Sequence, residues 1–88
     1  MKKIRIASRF KRDLKKVKKR GKDLAKLDAI VKLLVRGEKL SSKHKAHKLQ
    51  GDYGNKLECH IEPDWLLIYE IEEPYITLYR TGSHSDLF

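Results

Sequence analysis

Cysteine is almost absent. The single Cys59 excludes an internal disulfide and any zinc cage built on thiolates, and it fits a reducing, cytoplasmic setting. Long hydrophobic runs are missing as well. The longest apolar stretch, Trp65 to Tyr69, is far short of the roughly 20 residues that span a bilayer, so no membrane partner is expected. Lys2 and Lys3 are followed by no apolar segment of the signal-peptide kind, so no leader is expected either. Repeats, linkers and low-complexity tracts are lacking, and the 88 residues are expected to form one domain, 1–88, with a thin core between two packed layers. Neither His-Glu-x-x-His nor Cys-x-x-Cys spacing occurs, so no metal or other cofactor is expected.

Acidic residues are scarce where basic ones crowd. Residues 1–48 hold 19 Lys/Arg against 4 Asp/Glu, a charge of +15, whereas residues 49–88 hold 2 against 8, a charge of −6. A half this basic suits a polyanionic partner such as RNA, or an acidic protein segment. A merely solubilising lysine surface is the plainer reading of the same feature.

The elements follow from periodicity. Residues 2–6 alternate polar and apolar as a short strand does. Ser8 is read as an N-cap, with Phe10, Leu14 and Val17 at helical spacing behind it and Gly21 as the stop. A second helix fits residues 23–36, with Asp23 as N-cap and Gly37 as its end. Residues 38–47 carry no period and read as a loop; Asp52-Tyr-Gly-Asn55 is a turn signal. In residues 56–62, Leu57, Cys59 and Ile61 face one way while Glu58, His60 and Glu62 face the other. Residues 65–71 are apolar on both faces, as in a central strand, and residues 75–81 make the last strand before a short tail from Gly82. The order β-α-α-β-β-β predicts an α+β fold: an antiparallel sheet with two helices packed on one face. The other face and the tail are left for function.

All four histidines, His44, His47, His60 and His84, fall after the second helix. A loop, a strand and the tail can thus deliver His47, His60 and His84 to one place. RNA cleavage needs a base for the ribose 2′-OH, an acid for the departing 5′-oxygen and a cation for the phosphorane, and imidazole serves either proton role near neutrality. Asp64, four residues after His60, can orient a ring, though an Asp after Pro is also an ordinary turn residue. Arg80 is a candidate phosphate clamp, and Trp65 or Phe88 can stack on an unpaired base. Cys59 points to the core side and is read as inert packing. The plain alternative is that each histidine is an ordinary surface residue, which would leave a non-catalytic basic module that binds RNA or the ribosome.

Three blocks carry a family resemblance: His47-Lys-Leu-Gln-Gly51, His60-Ile-Glu-Pro-Asp-Trp-Leu-Leu-Ile-Tyr69 and Arg80-Thr-Gly-Ser-His-Ser-Asp-Leu-Phe88. They resemble the YafQ-like bacterial toxins, ribosome-dependent mRNA interferases of the RelE/ParE superfamily. The resemblance implies a RelE-like fold and endoribonuclease activity in which the substrate 2′-OH attacks its own phosphate without a metal. It implies catalytic roles for His47, His60, Asp64 and His84, and carries the family's Trp and terminal aromatic onto Trp65 and Phe88. Which histidine is base and which acid stays open; His47 as base and His84 as acid is preferred. His44 has no counterpart and is left outside the site. The resemblance also implies a cognate antitoxin, acidic where it binds the toxin and commonly forming a heterotetramer with it, while the oligomeric state of the free chain stays open. A ParE-like action on gyrase shares the fold but not this histidine set.

Overall fold

The structure is a computed structural model that describes residues 1–49, 54 and 56–88. The chain forms β1 (Lys3–Ile6), α1 (Ser8–Lys19), α2 (Leu24–Val35), a 3-10 turn (Ser42–His44), β2 (His47–Lys48), β3 (Leu57–Glu62), β4 (Trp65–Glu72), β5 (Tyr75–Gly82) and α3 (His84–Leu87). Of the turn expected at 52–55 only Gly54 is described; the rest of it, and Gln50 and Gly51 of the first motif, lie outside the described residues.

The helices start and stop where side-chain chemistry directs. Asp23 caps α2 by accepting from the Ala25 amide at 3.0 Å. Ser8 is not the cap of α1: Ala7 holds that position with no side-chain bond, and Ser8 is the first helical residue. The Ala7 amide donates to the Leu78 carbonyl at 3.0 Å, so strand pairing rather than a hydroxyl fixes where the helix begins. At the far end Gly21 takes φ +83°, a left-handed conformation open to glycine at little cost. Its amide reaches the Lys18 carbonyl, and that of Lys22 reaches Val17, which closes the helix as a paired C-terminal motif.

The sheet order is β1-β5-β4-β3-β2. β3, β4 and β5 form the antiparallel meander read from the sequence. The expected all-antiparallel sheet needs one correction: β1 lies parallel to β5, with Ile4 beside Ile76 and Ile6 beside Leu78. Side-chain alternation is the same in parallel and antiparallel strands, so the pattern of residues 2–6 carries no directional information. Both helices cover one face, where Phe10, Val17, Leu27, Ile30 and Leu34 pack on Cys59, Ile61, Trp65, Leu67 and Ile76. Burying one such Leu or Ile side chain contributes about 1.5–3 kcal/mol.

Central β4 is also covered on its second face. Leu66 and Ile68 pack with Leu87 of α3, and Leu49 and Tyr79 border them. The tail is therefore not a loose end. It forms a helical turn whose Leu87 closes a second small core, so the residue that begins it, His84, is set at a fixed place. Among the described residues, no helix is long and apolar enough to cross a membrane.

Candidate active site

β3 supplies the floor of the site. Its alternation puts Glu58 and His60 on the face away from the helices, and neighbouring β2 sets His47 opposite Glu58. The loop expected at 38–47 thus ends in a short strand, and His47 is a strand residue. Its Nδ1 donates to the Lys45 carbonyl at 2.6 Å, since a carbonyl can only accept, so its Nε2 is the nitrogen turned to the site. Lys45 bends the chain there with φ +48°, a conformation that costs a side-chain-bearing residue about 1–2 kcal/mol.

Glu58 lies between two rings. Its Oε1 is 3.3 Å from His60 Nε2 and 3.6 Å from His47 Nε2, and its side chain is 6% exposed. Past His60 the β3–β4 register shifts and the chain turns through Pro63 and Asp64. Asp64 Oδ1 accepts from the His84 amide at 2.9 Å and from His84 Nδ1 at 2.7 Å. The backbone bond first, then the ring bond, hold the Asp64 carboxyl below the usual carboxylate range. An ionised carboxylate only accepts, so His84 carries a proton on Nδ1 and directs Nε2 outward. The His60 and His84 rings meet edge-on with centroids 5.7 Å apart, and Phe88 lies 6.5 Å beyond His84, 61% exposed.

Three of the expected site residues thus converge with Asp64. His47, His60 and His84 come from β2, β3 and α3: Glu58 lies between the first two, the His60 and His84 rings are in edge contact, and Asp64 holds His84 from beside the row. Two expected RNA contacts do not stand. Trp65 is 1% exposed within the helix-side core, and its Nε1 donates to Thr81 Oγ1 at 2.9 Å. The alternation that sends His60 outward sends Trp65 inward, so its ring cannot reach a base. Arg80 makes a bidentate pair with Asp13 of α1, Nε to Oδ2 at 2.7 Å and Nη2 to Oδ1 at 3.0 Å, with only 17% of its side chain exposed. A guanidinium already held by a carboxylate on the helix side is not presented to phosphate.

Two further residues belong here. Glu58 was legible only as a polar strand residue; its sharing of a face with His60 was the available signal. His44, left outside the site, donates from Nδ1 to the His60 carbonyl at 2.7 Å and so fixes the strand that carries His60. Beside it opens a groove of about 880 Å³ between α2 and the 3-10 turn, lined by Lys22, Lys26, Lys43 and Lys45 and reaching His60 and Asp64. Cys59 lies on the opposite side of β3, where burial, with Glu58 adding to it, pushes its thiol up to about 12; it is unreactive packing. Among the described residues, no three His, Cys, Asp or Glu side chains are grouped as a metal site would need.

One acid in the groove gives a pH prediction. Lys26 and Lys22 hydrogen-bond Glu62 at 2.8 and 2.9 Å and hold its carboxyl down to about 2, from an ordinary 4.5. A depressed carboxyl stabilises the folded state above its unfolded pKa and loses that contribution as pH falls through the folded one. Urea midpoints should therefore fall between pH 4.5 and 2, and Glu62→Gln should make that decline shallower.

The family described as "Bacterial toxin of type II toxin-antitoxin system, YafQ" matches residues 2–88. The chain belongs to the YafQ toxin family. The mRNA interferase toxin YafQ of Escherichia coli K12 is 36% identical over 86 residues, 97% of this chain and 94% of that YafQ. The YafQ-family fold recurs in the crystal structure of the E. coli DinJ-YafQ complex, at TM-score 0.93 and 35% identity over 100% of this chain and 99% of that one. A copper-bound L66S mutant toxin from Helicobacter pylori matches at TM-score 0.95 and 34% identity over the whole of both chains. Among YafQ-family chains, then, the α+β architecture read from the sequence is the shared one.

Proposed function

We propose that this chain is an mRNA interferase: an endoribonuclease toxin that acts in the cytoplasm on mRNA held in the ribosome. The observation that carries the reading is the row His47, His60, His84, with Glu58 and Asp64 between and beside the rings. A protein that only bound RNA would gain little from such an array, because imidazoles are mostly neutral at pH 7.

In the proposed reaction His47 Nε2 takes the proton of the ribose 2′-OH, and the 2′-oxygen attacks the adjacent phosphorus. The bond to the 5′-oxygen breaks, and His84 Nε2 gives that oxygen a proton. The products are a 2′,3′-cyclic phosphate and a 5′-hydroxyl. With Arg80 committed to Asp13, stabilisation of the phosphorane falls to His60, which stands between the other two rings with its Nε2 3.3 Å from Glu58 Oε1. Asp64 holds His84 in the tautomer that presents Nε2. Phe88, exposed next to His84, offers a stacking face for a flanking base. The lysine-lined groove that reaches His60 suits the phosphates of the same strand.

The experiment uses ribosomes programmed with a defined mRNA. Cleavage should yield the cyclic phosphate, persist in EDTA, and vanish when a 2′-deoxynucleotide replaces the residue 5′ to the cut. Cleavage of the deoxy substrate, or EDTA loss restored by copper or zinc, would sink this mechanism. No product at all would leave the non-catalytic binding module. Faster cutting on programmed ribosomes than on free RNA is the expected sign of ribosome dependence. By family, an acidic antitoxin segment should cover the site and dock on the basic half, as a heterotetramer; E. coli YafQ is known in complex with DinJ.

A further inference from the structure

The proposed acid sits on a support that cannot hold itself. α3 is four residues long, and a single helical turn is unfavourable to nucleate without outside contacts. Leu87 anchors its end in the second core. Its start is held by two carboxylates: Asp64, which takes the His84 amide, and Asp86, which takes the amide before it. Asp86 Oδ2 accepts from the Ser83 amide at 2.9 Å, while the Asp86 amide donates to Ser83 Oγ at 3.3 Å. The same carboxylate receives both terminal nitrogens of Arg20, with Nη2 to Oδ1 at 3.0 Å and Nη1 on Oδ2. Arg20 is the C-cap of α1, where a cation is favoured by the helix dipole. A chain of contacts thus runs from the end of α1 through Asp86 to the backbone of Ser83, and the next residue is His84.

The fit around that carboxylate is close. A Cβ at Gly82 would stand 2.8 Å from Asp86 Oδ2, so the chain is bare where the carboxylate packs. Asp86 is the less exposed partner, 18% against 45% for Arg20, and Arg20 and the Ser83 amide hold its carboxyl far below the ordinary range. It remains an anion, and a two-oxygen acceptor, throughout the pH range in which the toxin would work.

We infer that Arg20 and Asp86 are positioning residues for RNA cleavage: the pair locks α3 so that His84 and Phe88 stand at fixed places beside His60. This rests on the nuclease reading above. Neither side chain need touch RNA. Their effect is geometric, and a misplacement of about 1 Å can cost about 10²-fold in rate.

The test compares Arg20→Ala, Arg20→Lys, Asp86→Asn and the double variant Arg20→Ala/Asp86→Asn. Asp86→Asn keeps an oxygen for the Ser83 amide and removes the charge. On programmed ribosomes Arg20→Ala and Asp86→Asn should each lower kcat by about 10–100-fold with KM near the parent's. The double variant should be no worse than the poorer single, and Arg20→Lys should recover part of the rate. In the free protein, NMR order parameters at Ser85 and Leu87 should fall from about 0.85 toward 0.6 or below in Arg20→Ala. Losses that multiply in the double variant overturn the inference. So does a loss confined to KM with a reduced salt slope, which would mean that Arg20 touches the polyanion itself. A rate within about twofold of the parent, with α3 still ordered, also overturns it. Should the parent fail to cleave, the nuclease reading falls, and unchanged order in Arg20→Ala would still separately refute the lock.

Discussion

His84→Ala should lower mRNA cleavage by about 10²–10⁴-fold, the usual contribution of a positioned proton donor, while the protein stays folded. The loss should appear in kcat, because the leaving oxygen acquires its need for a proton only as the phosphorus bond breaks. The ring is 55% exposed, so its removal opens no cavity, and surface changes of this kind stay within about 0.5 kcal/mol. Asp64→Asn should cost less, since Asp64 acts through the ring; combined with His84→Ala it should add nothing further. Rates at or near the parental value in His84→Ala, measured on programmed ribosomes with circular dichroism matched to the parent, would remove His84 from the chemistry. Growth arrest on induced expression gives a second readout, and it should disappear with the cleavage.

What the sequence carried of this site lay in alternation and motif. Period two in residues 56–62 put His60 and Glu58 on one face and Cys59 on the other, and the structure has that arrangement. The tail was legible as a carrier of His84 but not as a helix: four residues offer no period to read, and the signal that was there, Ser83 followed by Asp86 at capping-box spacing, is short. The His47 strand was missed for the same reason, because two paired residues leave no alternation. The antiparallel meander needed only turn signals and apolar runs. The direction of β1 needed its partner, which arrives some seventy residues later along the chain.

Trp65 and Arg80 show where residue type misleads. An aromatic and an arginine in an RNA-cleaving protein invite roles in stacking and phosphate binding. What decides is the face each presents, and the one-residue offsets at the shifts between β3 and β4 and between β4 and β5 are not visible as composition. Asp13 was equally obscured, one acid among the lysines of α1, yet it is 6% exposed and receives three hydrogen bonds, two from Arg80 and one from the Thr81 amide at 3.2 Å.

That environment makes Arg80→Ala a stability variant before it is a binding one. Removing one partner of a desolvated ion pair leaves the other charge uncompensated, at a typical cost of about 3–5 kcal/mol. At about 0.05–0.15 kcal/mol per residue, a chain of this length has only about 4–13 kcal/mol in all. Arg80→Ala should therefore lower the urea midpoint by a large fraction and leave the protein partly unfolded at 37 °C. Because Asp13 is the source of the penalty, replacing it too should recover stability: Asp13→Leu combined with Arg80→Met should unfold later than Arg80→Ala alone, since apolar residues of similar volume often match a buried pair. At a temperature where Arg80→Ala is folded, its KM for programmed ribosomes should stay near the parental value. A phosphate clamp would show the reverse pattern, a raised KM with little change in the urea midpoint.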